Sequence, residues 1–184
     1  MIEETLGKSL MNILIRDEQP EDIQYIEELI KVAFLNEVHS SHTEQFIVNN
    51  LRKNKQLTIS LVAIEDGTII GHVAISPVII SSGETGWYGL GPISVLPNKQ
   101  GLGVGSLLMN ASLEKLKQLG GKGCVLLGDP NYYGRFGFKS YPDLNLPDVP
   151  HEYFQAISFI NHIPKGDVNY HEAFDSTENL NHKL

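Results

Sequence analysis

Three alternating glycines and the serine after them have the spacing that most directly suggests chemistry. Gly101, Gly103 and Gly105 precede Ser106 where a strand-like run passes into a helix-like one. Glycine has no Cβ, so its backbone adopts positive φ and lets an anion approach the amides closely. The first amides of a helix lack backbone partners, and the helix dipole places positive charge there. These residues predict a pyrophosphate cradle; the alternative is an ordinary glycine-rich turn.

The residues around the glycines match neither the P-loop pattern nor the complete dinucleotide-binding pattern. No Gly-Lys-Ser or Gly-Lys-Thr follows an earlier glycine at P-loop spacing. The dinucleotide-binding pattern is incomplete, because Ser106 stands where its third glycine belongs. The glycines also follow four predicted strands instead of opening the fold, and no acidic residue ends the next strand. A Rossmann-type nucleotide binder, which would bind NAD, is therefore disfavoured.

The elements around the glycines are predicted to form one β-α-β crossover. Residues 87–96 form a strand, the helix after the glycines runs to Leu119, and residues 124–127 form the next strand. Two strands joined in this way lie parallel, with a right-handed connection. The crossover therefore places the glycines at the carboxyl end of a strand, where ligands bind in open sheets.

Upstream, the sequence predicts antiparallel pairing. Asp66-Gly67 separates two β-rich runs, 58–65 and 68–80, which is a strong hairpin signal. Pro77 is expected to mark a bend or an edge position. The remaining predicted elements are a strand at 12–16, a helix at 20–34 and a second helix carrying Phe46, Ile47 and Leu51.

We expect one mixed α+β domain over residues 12–174. Residues 1–11 are predicted to be an N-terminal extension, and residues 175–184 a polar C-terminal tail. Residues 153–174 contain two apolar strand-like stretches. They are expected either to complete the sheet or to join an interface, so a homodimer stays possible.

Composition and charge exclude several classes of function. The chain has 184 residues and a formal net charge of −8, which argues against binding to duplex nucleic acid. A single cysteine, Cys124, rules out an internal disulfide and a zinc site built on paired cysteines. No run of 18 apolar residues exists, and the N-terminus does not look like a secretory signal. We therefore expect a cytoplasmic protein with no membrane partner.

Two motifs resemble the signatures of the GNAT superfamily of N-acyltransferases. The first is Gln100-x-x-Gly103-x-Gly105, preceded by a strand ending Ser94-Val95-Leu96-Pro97. The second is Tyr133-Gly134-Arg135-Phe136-Gly137-Phe138, which is similar to the family's Tyr-x-x-x-Gly-Phe segment. With Asp129-Pro130-Asn131-Tyr132 before it, the second motif resembles a subgroup of predicted N-acetyltransferases. The resemblance implies a mostly antiparallel mixed sheet whose parallel fourth and fifth strands splay apart, flanked by helices.

The resemblance also implies acetyl-CoA as cosubstrate, no metal, and a set of site residues. Pantetheine would bind backbone groups of Ile93 and Val95, the Ile93 amide would polarise the thioester carbonyl, and Tyr133 would lie near the sulfur. The pyrophosphate would bind amides of the glycine loop with the Ser106 hydroxyl. The implied cofactor-binding set is Ile93, Ser94, Val95, Gln100, Gly101, Leu102, Gly103, Val104, Gly105, Ser106, Asn131 and Tyr133.

The implied reaction is acetyl transfer to a primary amine of a small molecule or peptide. Tyr133 is the predicted catalytic residue, as proton donor to the leaving sulfur; its alternative role is only to orient CoA. The fourth strand lacks the carboxylate base of many relatives, and Leu126 stands where many carry asparagine. The remote candidates for a base are Glu84, Asp129, His72 and Glu44. The missing carboxylate leaves a rival function open, that of a non-catalytic acyl-CoA sensor.

Several other residues have both a chemical and a purely structural interpretation. His39 and His42 are spaced for one helix face, but two solvated histidines are favoured over a metal site. Cys124 is expected to be a buried inert thiol, and Trp87 a core residue. Lys99 and Arg135 are predicted either to contact the CoA 3′-phosphate or to be solvated.

Overall fold

The computed structural model describes residues 12–177, so the predicted extension and most of the predicted tail lie outside the described residues. The strands are β1 Ile13–Asp17, β2 Ile59–Glu65, β3 Thr68–Ile80, β4 Trp87–Val95, β5 Gly123–Leu127, β6 Leu144–Asn145, β7 Phe154–Ser158 and β8 Gly166–Tyr170. The helices are α1 Ile23–Phe34, α2 Glu44–Lys53, α3 Val104–Gln118 and the single turn α4 Pro130–Tyr133. The observed elements follow the predicted order.

One mixed sheet carries the helices on its two faces. Its main strand order is β1-β2-β3-β4-β5-β7. Neighbouring β2 residues point to opposite faces: Val62 packs with Ile26 and Ile30 of α1, and Leu61 packs with Leu108 of α3. Because β2 and β3 are buried on both faces, they have nearly continuous runs of apolar residues.

The parallel pair β4–β5 is short and then opens. Pairing covers only Trp87 to Gly89 on β4, opposite Gly123 to Val125 on β5. Beyond this pairing, β4 has one residue more than the facing stretch of β3, around Gly91 and Pro92, which makes a β-bulge. Gly91 has φ 145°, and Pro92 has no amide proton to offer β5. This bulge accompanies the divergence of the two strands, as the resemblance implied.

The C-terminal segment completes the sheet, which was one of its two predicted roles. β7 pairs antiparallel with β5 along its whole length, and β8 pairs with residues 78–80 at the end of β3. Pro77 lies where β3 stops pairing with β4 and begins pairing with β8. After β8, a 3-10 turn at Glu172–Asp175 packs on α2 through Ala173 and Phe174. None of the helices within residues 12–177 is long and apolar enough to cross a membrane.

Candidate active site

The glycine loop has the geometry of an anion cradle. Gly101 and Gly103 have φ 73° and 89°, a region that favours glycine, and α3 begins at the next residue, Val104. Within residues 12–177, the amides of Gly101 to Ser106 donate to no backbone carbonyl, whereas the Leu107 amide donates to Gly103 O. A run of free amides at the positive end of a 15-residue helix attracts an anion.

A cleft of about 330 Å³ opens at this loop. Its lining residues are Val95, Lys99, Gln100, Gly101, Gly103, Gly105, Ser106, Tyr132 and Arg135. The Arg135 guanidinium lies 4.7 Å from the centre of the Tyr132 ring, while Lys99 pairs with Glu65 at 3.1 Å. A Cβ on Gly105 would lie 2.9 Å from the Tyr132 hydroxyl. Gly105 therefore keeps the cleft open beneath Tyr132.

The opened edge of β4 presents backbone groups to the gap between β4 and β5. The Leu96 amide donates to Ile70 O on the β3 side, and successive amides of a strand point to opposite sides. The amides of Ile93 and Val95 consequently face the β5 side, where strand pairing has already ended. The Val95 carbonyl accepts a hydrogen bond from Gln100 Nε2 at 3.1 Å, which links this edge to the glycine loop.

Tyr133 lies at the far end of the gap, at the end of α4. Its ring packs edge-on against Tyr132, with centroids 4.9 Å apart, and a Cβ on Gly128 would lie 2.3 Å from it. Burial is the main cause that raises the pKa of Tyr133 to about 12, and the nearby Tyr132 and Asp129 add to the shift. The hydroxyl is therefore fully protonated at neutral pH and available as a donor.

A second, larger cavity of about 700 Å³ adjoins Tyr133; we call it the distal cleft. One part of its lining is apolar and comes from the β4–β5 gap, including Leu90, Pro92 and Leu126. Another part comes from the α1–α2 connection, α2 and the C-terminal 3-10 turn, and it includes Glu37, Glu44 and Asp175. Ile93 and Tyr133 line this same cavity, so these two predicted site residues belong to one site.

Most of the predicted cofactor-binding residues line one of these two cavities, but four of them line neither. Ser94 is buried, and its hydroxyl has no hydrogen-bond partner within the described chain. The Val104 side chain belongs to the core, and Leu102, which is half-buried, lines neither cavity. Asn131 is exposed and lines neither cavity, and its role in CoA binding stays a prediction.

The four remote candidates for a base have different surroundings. His72 is buried, with Nε2 2.8 Å from Ser60 Oγ, and burial lowers its pKa to about 3. Asp129 caps α4 by accepting from the Asn131 amide at 2.9 Å. Glu84 lies 2.8 Å from His162. None of these three lines the distal cleft, whereas Glu44 does.

Two structural interpretations from the sequence are confirmed. Cys124 is fully buried, which raises the pKa of its thiol and makes it inert as a nucleophile. Trp87 is a core residue. Of the histidine pair, His39 lines the distal cleft. The part of the chain that the structure describes has no group of three or more His, Cys, Asp or Glu able to hold a metal.

Sequence reasoning missed several residues of the site. Tyr132 lies over Gly105, and Gln155 donates to Gly128 O at 3.0 Å, which holds the turn against which Tyr133 packs. His171 and Asp175 line the distal cleft from the end of the domain. The adjacency of Tyr132 to Tyr133 could have drawn attention to it. No local signal marked the other three, because their role depends on contacts between distant segments.

The fold, the glycine cradle and the opened strand pair together define an acyltransferase of the GNAT class. Residues 23–138 match the model of the acetyltransferase (GNAT) family. The chain belongs to this family, whose members are acetyl-CoA-dependent acyltransferases.

Particular relatives agree with this assignment. The chain is 38% identical over 128 residues to the uncharacterized N-acetyltransferase YhbS of Escherichia coli K12, covering 69% of this chain and 74% of YhbS. It is 48% identical to a GNAT family acetyltransferase from Brucella melitensis whose structure is in complex with acetyl-CoA; the TM-score is 0.80, over 89% and 98% of the two chains. The E. coli YhbS structure, in complex with CoA, gives a TM-score of 0.81 at 34% identity, over 91% and 94% of the two chains.

Proposed function

We propose that the protein transfers an acetyl group from acetyl-CoA directly to a primary amine. The observation that carries the proposal is the arrangement of the β4–β5 gap. The glycine cradle lies at one end, and the distal cleft with Tyr133 at the other. A pantetheine chain in the gap would bring the thioester to Ile93 and leave the distal cleft for the acceptor.

The cradle residues would hold the cofactor through their backbone. The free amides of residues 101–106 and the Ser106 hydroxyl suit the pyrophosphate. The amides of Ile93 and Val95, which face the gap, suit the carbonyl groups of pantetheine, whereas the Val95 carbonyl already accepts a hydrogen bond from Gln100 Nε2. The Arg135 guanidinium supplies a positive charge at the rim, where the CoA 3′-phosphate would add negative charge.

The reaction needs no covalent enzyme intermediate. The neutral amine attacks the thioester carbonyl carbon, a C–N bond forms, and the C–S bond breaks as the tetrahedral intermediate collapses. The amine loses one proton and the leaving thiolate gains one, so protons balance. The Ile93 amide would stabilise the oxyanion; losing one such donor costs about 3–4 kcal/mol in a hydrolase.

Tyr133 would donate to the leaving sulfur. Its raised pKa keeps the proton on the hydroxyl until negative charge develops on the sulfur. No carboxylate lines the cleft from β4 or β5, so an acceptor that arrives as an ammonium would lose one proton to water before attack, and the proton released from the nitrogen after attack would also pass to water. Proton loss is favoured on the apolar side of the cleft, because low polarity disfavours the ammonium form.

Calorimetric titration with acetyl-CoA, with NAD as control, tests the cofactor site. The proposal expects acetyl-CoA binding without NAD binding, and then release of CoA when an amine panel is added. Failure to bind acetyl-CoA would overturn it. Binding of acetyl-CoA without CoA release from any amine would favour the rival function, a non-catalytic acyl-CoA sensor.

A further inference from the structure

The gap between β4 and β5 has a closed end as well as an open one. The glycine loop follows β4 at the open end, whereas strand pairing closes the gap at Gly89, which lies opposite Val125. With CoA entering from the glycine loop and the thioester at Ile93, the acyl group extends toward the closed end. From Ile93 to Gly89 the strand rises by roughly 10–13 Å. The closed end therefore limits how far an acyl chain can run along the gap.

The ring of Tyr170 lies against this closed end. Tyr170 belongs to β8, where it pairs with Val78 at the end of β3. A Cβ on Gly89 would lie 2.4 Å from Tyr170 Cε1 and 3.1 Å from Val78 Cγ1, so these two side chains cover the face that Gly89 leaves bare. Tyr170 also lines the distal cleft. One ring thus contacts both the cleft and the strand position at which the gap ends.

The opposite face of the sheet gives a long acyl chain no exit. Leu90 and Leu126 directly follow the last paired residues of β4 and β5, and both are buried in the core on the α3 side, with Leu108. A chain that reaches the closed end must therefore turn toward the face that carries the distal cleft. Its way there passes over the ring of Tyr170.

Neighbouring side chains hold this ring in place. Its centroid lies 4.8 Å from that of the Phe174 ring, and it packs against the core cluster that includes Val78 and Val168. Burial, with a smaller effect of Cys124, raises the pKa of the Tyr170 hydroxyl, which is therefore uncharged at neutral pH. An acyl group consequently meets a neutral wall whose shape is set by the ring.

We propose that Tyr170 limits the length of the acyl group, so that acetyl-CoA is preferred over acyl-CoA donors with longer chains. This inference rests on the proposed binding of acetyl-CoA in the β4–β5 gap. The ring sets the limit, because it is the ring that covers Gly89. A smaller side chain at position 170 would leave room to bury the added methylenes of a longer acyl group. Each methylene buried in this way would tighten binding about four-fold.

The test compares acetyl-CoA, butyryl-CoA and hexanoyl-CoA as ligands. Calorimetry measures the Kd of each for the native protein, Tyr170→Phe and Tyr170→Ala, and CoA release with an amine panel measures turnover. We expect the native protein to bind hexanoyl-CoA at least about ten-fold more weakly than acetyl-CoA, because the longer chain overpacks the site. Tyr170→Phe should keep this preference, since the ring stays. Tyr170→Ala should reverse it, with butyryl-CoA in between.

Tyr25→Ala is the matched control, because Tyr25 is 62% exposed and does not line the distal cleft. The same truncation there should leave all three Kd values unchanged. Acetyl-CoA binding and the Tm check the fold of each variant. If Tyr170→Ala fails to fold, Tyr170→Leu removes the outer part of the ring, keeps an apolar side chain, and should shift the preference in the same direction.

The outcomes separate this inference from the proposed function. Equal binding of the three ligands by the native protein overturns the inference. So does a hexanoyl-to-acetyl ratio of Kd values that stays native in the truncated variants, or one that shifts equally in Tyr170→Phe. A shift confined to the truncated variants, without CoA release by any amine, would support the length limit while overturning acetyl transfer to amines. Amine turnover with equal use of all three donors would do the reverse, and absence of acetyl-CoA binding would overturn both.

Discussion

At the scale of single residues, Tyr133 is the group whose chemistry is most open to test. Tyr133→Phe removes the hydroxyl and keeps the ring that packs against Tyr132. We expect kcat to fall by about 10²–10⁴-fold, the range typical of general acid catalysis, with the Kd for acetyl-CoA unchanged. Steady-state kinetics with calorimetry checks this. A loss of acetyl-CoA affinity with normal kcat would assign Tyr133 to CoA orientation alone.

The pH profile tests the same hydroxyl without a mutation. An acid must be protonated to act, and a pKa raised to about 12 keeps Tyr133 protonated throughout the usual assay range. We therefore expect kcat/KM to rise with pH as the acceptor amine deprotonates, with no fall caused by Tyr133 up to about pH 10. A descending limb near neutral pH that vanishes in Tyr133→Phe would contradict this role.

At the scale of elements, the turn into α3 determines whether the cradle forms. Gly103 has φ 89°, so Gly103→Ala forces a side chain into the left-handed region at a cost of about 1–2 kcal/mol. We expect weaker acetyl-CoA binding and a lower Tm. Gly134 is the matched control, because its φ is −58° and a Cβ there meets nothing within 4 Å. Gly134→Ala should leave both quantities nearly unchanged, and equal effects from the two substitutions would contradict the assignment.

Local elements were predictable from the sequence, and their assembly was not. The Asp66-Gly67 turn and the glycines before α3 require particular backbone conformations, so residue type alone indicates them. Asp129 could have bound an amine or capped a turn, and only the structure shows the cap. Glu44 looked like a solvated helix residue, and only the structure shows that it is half-buried with its Oε2 shielded from solvent. The distal cleft joins segments more than 120 residues apart, and no periodicity reports such a contact.

At the scale of the whole molecule, a polar network that begins at the buried His72 and continues through half-buried groups links the sheet to α2, and it should set part of the pH dependence of stability. His72 Nε2 lies 2.8 Å from Ser60 Oγ, Ser60 donates to Glu18 at 2.9 Å, and Arg52 pairs with Glu18 at 2.5 Å. Burial lowers the folded-state pKa of His72 to about 3, whereas an unfolded histidine has a pKa of about 6.5. Between these values the unfolded chain binds the extra proton, so stability falls as pH falls.

Within this window, proton uptake by His72 in the unfolded chain should lower the free energy of unfolding by up to about 1.4 kcal/mol for each unit by which the pH falls. His72→Gln keeps an amide donor toward Ser60 but cannot titrate. It should therefore flatten the dependence between about pH 6 and pH 4.5, above the range where paired carboxylates such as Asp22 lose their charge. Denaturant unfolding of both proteins across this range checks it. Parallel slopes would show that His72 does not carry the effect.

The acidic end of the distal cleft is built from the α1–α2 connection, the start of α2 and the last turn of the domain, and none of these belongs to the β4–α3 unit that would hold CoA. Mutations can therefore accumulate in one set of segments while the other stays fixed. If the distal cleft binds the acceptor as proposed, selection for a new acceptor would act at residues 37–47 and 171–175 and leave residues 93–106 untouched. Such a division lets descendants of one gene keep the same acetyl donor and diverge in the molecules they modify.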